Sequence, residues 1–187
     1  MIRYSVLMTV YREDNPEYFD LALKSMINQT SKPDEIVLVN DGPIPQKLQN
    51  VIDRNIATTD VYINQVSLPQ NVGLGCALNE GIKVARNELL ARMDSDDISL
   101  PERCEIQLKM FEEDPDLDIV GCPVIEFDGT PSNIVGKREV PFGNAAIHKY
   151  AKRRDPFNHP TVMYRKSKVE AVGGYGDYRK NQDTDLW

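Results

Sequence analysis

Cysteine is scarce: the 187 residues contain Cys76, Cys104 and Cys122 only, widely spaced and with no CxxC. An odd, scattered set excludes a disulfide framework and a structural zinc site, and points to reduced thiols in a cytoplasmic setting. Long apolar runs are also missing. Nothing approaches the roughly 18 residues of a membrane span, and residues 1–8 are too short and too polar for a signal peptide. Positive charge is not in excess: the formal net charge is −7, which argues against a nucleic-acid partner. Neither the GxGxxG of a dinucleotide fold nor the GxxxxGK of a P-loop occurs, so neither a Rossmann oxidoreductase nor a P-loop NTPase is supported.

What is present is a regular alternation of strand and helix patterns. Apolar and charged fractions of 41% and 27% are ordinary for a globular protein, and the length suits one domain, read as 1–187. Strands are expected at Ser5–Val10, Ile36–Val39, Val61–Val66, Glu88–Met93, Ile119–Phe127 and Thr161–Tyr164. Helices are expected from Asn15-Pro16, around Leu48–Ile52, and from Gly73 to Ala85 with Asn71 as a candidate cap. Two capping-box patterns, Ser99–Glu102 and Ser167–Glu170, predict two more, the second ending at Gly173-Gly174. Residues 130–160 carry weak periodicity and read as irregular. This order predicts an α/β fold with a mostly parallel central sheet and helices on both faces. In such sheets ligands sit beyond the carboxyl ends of the strands, so Thr9–Arg12, Asn40–Gly42 and Asp94–Asp97 should converge.

The segment Leu89-Leu90-Ala91-Arg92-Met93-Asp94-Ser95-Asp96-Asp97 is the densest in chemical content. An apolar strand ends in three carboxylates within four residues. Such crowding is costly unless a cation neutralises it, and Mg²⁺ or Mn²⁺ bound to carboxylates and substrate phosphates is the natural candidate. The plainer reading is a loop of Asx-turns. Asp41 could accept an N–H from a nucleobase or simply shape the turn before Gly42. Tyr11 could stack on that base or sit partly buried. The stretch Asn71–Gly81 reads more readily as a helix with small residues packed on the sheet than as a ligand loop. His159 is a secondary ligand at most. The basic clusters Lys149–Arg154 and Arg165–Lys168 read as solvated faces, with an anionic contact as the minor alternative. Asn181–Trp187 looks like the opening of a helix, so the chain reads as a fragment of a longer protein.

Taken together and in order, Ser5–Tyr11, Ser25–Thr30, Glu35–Gly42, Asn71–Gly81, Ala91–Arg103, His159–Val162, Gly173–Tyr175 and Gln182–Trp187 resemble the inverting glycosyltransferases of family 2, which have the Rossmann-like GT-A fold. The resemblance implies hexosyl or N-acetylhexosaminyl transfer from a nucleoside-diphosphate sugar, a UDP-sugar by preference, to a saccharide or lipid-linked acceptor. It implies a divalent metal (Mn²⁺ or Mg²⁺) and a role in polysaccharide synthesis. Carried over by position, Thr9 and Tyr11 line the base pocket and Asp41 bonds the base. Asp94 contacts the ribose, Asp96 ligates the metal, and Asp183 is the catalytic base. Asp97 shapes the turn. Asn40 and Gln182 depart from the family's more usual Asp and Glu. A non-catalytic nucleotide-sugar-binding module is the alternative. A phosphohydrolase with a nucleophilic Asp is disfavoured, because the rest of the chain does not resemble one. Contact with the inner face of a membrane is left open.

Overall fold

The computed structural model describes residues 2–178 and Leu186. Strands β1 (Tyr4–Val10), β2 (Glu35–Asn40), β3 (Tyr62–Ser67) and β4 (Leu89–Met93) run parallel. Helices α1 (Pro16–Ile27), α2 (Gln46–Thr58) and α3 (Leu74–Val84) connect them. After α4 (Arg103–Glu113) come β5 (Ile119–Val120), the hairpin β6 (Val124–Phe127) and β7 (Ile134–Arg138), and α5 (Asn144–Ala151). A 3₁₀ turn at His159–Thr161, then β8 (Met163–Arg165) and α6 (Lys166–Ala171), complete the set. The main sheet has the order β3-β2-β1-β4-β8-β5, with β8 antiparallel to both β4 and β5.

Alternation along the strands builds two cores. Val6, Met8, Ile36, Leu38, Ala91 and Met93 face one side, where they meet Phe19, Leu23, Leu48, Leu108 and Phe111 from α1, α2 and α4. Leu7, Val37, Val39 and Leu90 face the other, against Ala77, Leu78 and Ile82 of α3 and Val169 of α6. The sheet is therefore covered on both faces, as its unbroken apolar strands require. α3 lies very close to it: a Cβ added at Gly81 would come within 2.4 Å of Leu7 Cδ1 and 3.0 Å of Val39 Cγ2. That close approach explains the small residues of Asn71–Gly81.

Several local expectations fail for identifiable reasons. Neither capping box forms. α4 starts at Arg103, and Ser99 is buried 4 residues earlier, where its hydroxyl meets the Gln29 amide. α6 starts at Lys166, and the Ser167 hydroxyl donates instead to Glu88. Asn71 does not cap α3, whose N-cap is Gly73. The expected strand Ile119–Phe127 is two strands in two sheets, parted by Gly121-Cys122-Pro123, because a proline inside the run cannot continue a ladder. The region read as irregular holds β7 and α5. Both are largely exposed, so they lack the apolar periodicity that would have revealed them.

Candidate active site

The strand order reverses direction at β1, which has β2 on one side and β4 on the other. The crevice at the carboxyl ends of these strands is where a ligand is expected. Three segments meet there. β1 runs into Tyr11–Asp14, a loop closed by the Tyr11 backbone N–H donating to Asp14 Oδ2 at 3.1 Å. The Ser95 hydroxyl of the acidic turn lies near enough to favour the ionised Asp14 carboxylate. Burial pushes the Asp14 carboxyl above its usual range, and these two donors offset part of that rise. Asp14 escaped the sequence reading because nothing local sets it apart from an ordinary turn residue.

At the end of β2, Asp41 is buried and already engaged. Its Oδ1 accepts the Val72 N–H at 2.7 Å; its Oδ2 accepts the Gly73 N–H at 3.1 Å and the Asn71 side-chain amide at 2.9 Å. This carboxylate fastens the loop before α3 onto the end of β2. Since a carboxylate can take about four donors, one acceptor direction remains for a ligand. Gly42 is needed beside it: its φ is +84°, and a Cβ there would come within 2.6 Å of the Asn71 nitrogen. Asn40 is also buried; its amide nitrogen reaches the Ser67 hydroxyl at 3.3 Å, while its Oδ1 has no hydrogen-bond partner among the described residues.

The turn after β4 gathers Asp94, Asp96 and Asp97, each offering an oxygen within 4.8 Å of the others. Asp97, read from the sequence as shaping the turn, thus also lies within the cluster. Burial, followed by the Asp94 and Asp96 carboxylates, pushes its carboxyl up to about 6. Carboxylates that crowd one another this way, with Asp96 exposed to incoming ligands, fit a divalent cation with oxygen ligands.

Beneath the cluster lies Arg92, wholly buried in β4 and ion-paired through Nη1 with Asp94. Its guanidinium nitrogens make no well-directed hydrogen bond among the described residues. Nearby, His159 is buried with Nε2 3.0 Å from the Tyr175 hydroxyl. Burial, reinforced by the Arg92 charge, pushes this imidazole down to about 2, so it stays neutral at physiological pH and is a poor base. Sequence alone gives no warning of Arg92, since a charged residue in a strand ordinarily points to solvent.

A cavity of about 650 Å³ opens over the acidic turn. Asp94, Asp96 and Asp97 form one wall; the β6–β7 hairpin and residues 155–160 form others. Among the sequence-predicted site residues, Asp94 and Asp96 line this cavity and Thr9, Tyr11 and Asp41 do not. The latter three sit along the neighbouring strand ends: Thr9 pairs with Val39 in the sheet register, Tyr11 is exposed, and the Asp41 N–H bonds the Val10 carbonyl at 2.8 Å. Asp183 lies outside the described residues.

The family model described as Glycosyl transferase family 2 matches residues 5–173. The amylovoran biosynthesis glycosyltransferase AmsE of Erwinia amylovora is 40% identical over 184 residues, covering 98% of this chain and 68% of AmsE. An Escherichia coli enzyme named UDP-Gal:alpha-D-GlcNAc-diphosphoundecaprenol beta-1,3-galactosyltransferase is 37% identical over 187 residues, covering 99% of this chain and 66% of that one. Among solved structures, S. aureus TarS 1–349 in complex with UDP-GlcNAc superposes with a TM-score of 0.69 at 20% identity, covering 98% of this chain and 51% of TarS 1–349. The mannosyltransferase PcManGT of Pyrobaculum calidifontis, in complex with GDP-Man and Mn²⁺, gives 0.70 at 16%, covering 97% and 50%. The chain therefore spans about two thirds of the length of these curated relatives and about half that of the solved structures.

Proposed function

The chain belongs to glycosyl transferase family 2, and on that premise we propose that it moves a sugar from a UDP-sugar to an acceptor hydroxyl, with inversion at the anomeric carbon. The observation that carries this reading is the convergence of Asp94, Asp96 and Asp97 at the carboxyl end of β4. Asp96 and Asp97 would hold a Mn²⁺ or Mg²⁺ ion, which when bound neutralises charge developing on the departing diphosphate. One Asp94 oxygen answers Arg92, leaving the other for the donor ribose. The remaining acceptor direction of Asp41 takes a base N–H, with Thr9 and Tyr11 beside it. A UDP donor is supported by the E. coli relative's name and by the UDP-GlcNAc held by TarS.

The 650 Å³ cavity beyond the acidic turn accommodates the sugar and the incoming end of a saccharide or lipid-linked acceptor. The acceptor oxygen attacks the anomeric carbon as the bond to the diphosphate oxygen breaks, and a carboxylate takes the hydroxyl proton. We assign that carboxylate to Asp183. His159, held neutral by burial, is set aside for that task. A single displacement of this kind inverts the centre.

The test is a thermal-shift screen with UDP-glucose, UDP-galactose, UDP-N-acetylglucosamine and GDP-mannose, each with and without Mn²⁺. A UDP-sugar should raise the melting temperature in the presence of metal. No stabilisation by any donor, or equal stabilisation without metal, sinks the donor-site assignment. Asp183→Asn should abolish transfer in a radiolabelled-sugar assay while donor binding persists; turnover like the wild type removes Asp183 from the reaction.

A further inference from the structure

The two basic clusters of the sequence have different fates in the fold. Arg165, Lys166 and Lys168 are used internally: Arg165 donates to the Leu117 and Pro115 carbonyls, Lys166 to the Ala85 carbonyl, and Lys168 pairs with Asp118. Lys149, Lys152, Arg153 and Arg154 are all exposed, and none enters an ion pair among the described residues. No Asp or Glu occurs from Val140 to Arg154, in a chain whose net charge is −7. Lys149, Lys152 and Arg153 stand at i, i+3 and i+4, and the turn continues past α5 because the Arg153 and Arg154 N–H groups both bond the Tyr150 carbonyl, so these cations share one side. In the same segment Phe142, just before α5, is 90% exposed, and Tyr150 within the helix is also exposed. α5 has no buried residue. Cations at a helix C-terminus satisfy its dipole, but that does not account for the aromatic rings that the same segment leaves in water.

The place of this segment matters. Arg138 before it and Asp155 after it both line the cavity over the acidic turn. The patch is thus tethered at both ends to the wall of the site.

We propose that residues 140–154 form a docking surface for an anionic lipid bilayer, with the four cations on the headgroups and Phe142 inserted at the interface. This deepens the transfer reading: it brings the open side of the cavity to the surface that a lipid-linked acceptor would occupy. Charge complementarity carries it, since four exposed cations without an ion pair among the described residues stand on an otherwise acidic protein.

Co-sedimentation of the full chain with vesicles tests it. Vesicles of phosphatidylglycerol and phosphatidylcholine should bind the protein, and pure phosphatidylcholine should not. Each cation near such a surface contributes on the order of fivefold in partitioning, so Lys149→Gln, Lys152→Gln, Arg153→Gln and Arg154→Gln together should weaken binding by roughly several hundredfold where all four reach the headgroups, and by at least about 25-fold where only two do. Phe142→Ser should weaken it severalfold without altering its salt dependence. No binding to anionic vesicles, or unchanged binding by the quadruple variant, overturns the proposal. So does loss of vesicle binding when chloride is replaced by inorganic phosphate at constant ionic strength, which marks a discrete phosphate site. The donor-induced thermal shift of the quadruple variant is read in parallel. Vesicle binding that persists where no donor binds keeps the docking surface and rejects the transfer reading; the reverse result rejects docking alone.

Discussion

Asp97 carries a pH signature. Its folded carboxyl titrates near 6 against an ordinary 3.8, so the folded state holds that proton more tightly than the unfolded chain. The associated stability is complete below about 3.8 and is lost as pH rises through about 6. In EDTA, the chain should therefore melt progressively lower across that window, and Asp97→Asn should flatten this slope. If Asp97 holds the metal as proposed, protons would compete for the same oxygen, and Mn²⁺ affinity should weaken as pH falls through about 6. Titration calorimetry at two pH values, on wild type and Asp97→Asn, checks both statements. Arg92 and Asp94 make an asymmetric pair. Removing the Asp94 charge strands a fully buried guanidinium, a loss of about 3–5 kcal/mol. Removing Arg92 strands a carboxylate that is 32% exposed and can be hydrated. Chemical denaturation should show Asp94→Asn costing more than Arg92→Met; the opposite order contradicts the buried-charge account.

At the scale of elements, the acidic turn is held from behind by α1. The Gln29 amide donates to the Ser25 carbonyl, the Ser99 hydroxyl and the Leu100 carbonyl, and its oxygen accepts the Cys104 N–H. One buried side chain thus ties the end of α1 to the segment leading from the acidic turn into α4. Gln29→Ala leaves buried donors and acceptors unsatisfied and should cost about 2–3 kcal/mol, with Mn²⁺ binding weakened in step because the turn loses its anchor. Unchanged melting and metal affinity would show that the turn holds itself. The same contact explains the failed capping box: Ser99 serves Gln29, a residue 70 positions away, and so is not spent on its own helix. The segments Ser25–Thr30 and Ala91–Arg103 stand out in the sequence as separate motifs, and the fold makes them one device.

For the molecule as a whole, the parallel half of the sheet carries the residues proposed for the nucleotide, and the β6–β7 hairpin with residues 157–160 supplies other walls of the cavity over the acidic turn. The family-2 resemblance and the α/β architecture expected from the sequence both hold. Donor and metal binding should stabilise this whole unit. At about 100-fold excess over its dissociation constant, a ligand adds about 2.7 kcal/mol. For a chain of this size that corresponds to a rise of roughly 5–10 °C in the melting temperature, which is the size of shift the donor screen should return. Among the described residues no helix is long and apolar enough to cross a membrane. The proposed bilayer contact is accordingly one of surface charge and a single inserted ring.

The sequence by itself determined the order of the four parallel strands and of the helices between them, because buried strands must be continuously apolar and their spacing records the crossovers. It also marked the acidic turn, since three carboxylates at a strand end are conspicuous without any structure. Tertiary structure alone decided what those residues touch. It engaged Asp41 with Asn71, Val72 and Gly73, brought Asp97 into the cluster, set Arg92 under Asp94, and separated two basic clusters that look alike in sequence. Each of these rests on partners between 2 and about 80 positions away, or on burial, and neither distance nor burial is written in the local pattern of a chain.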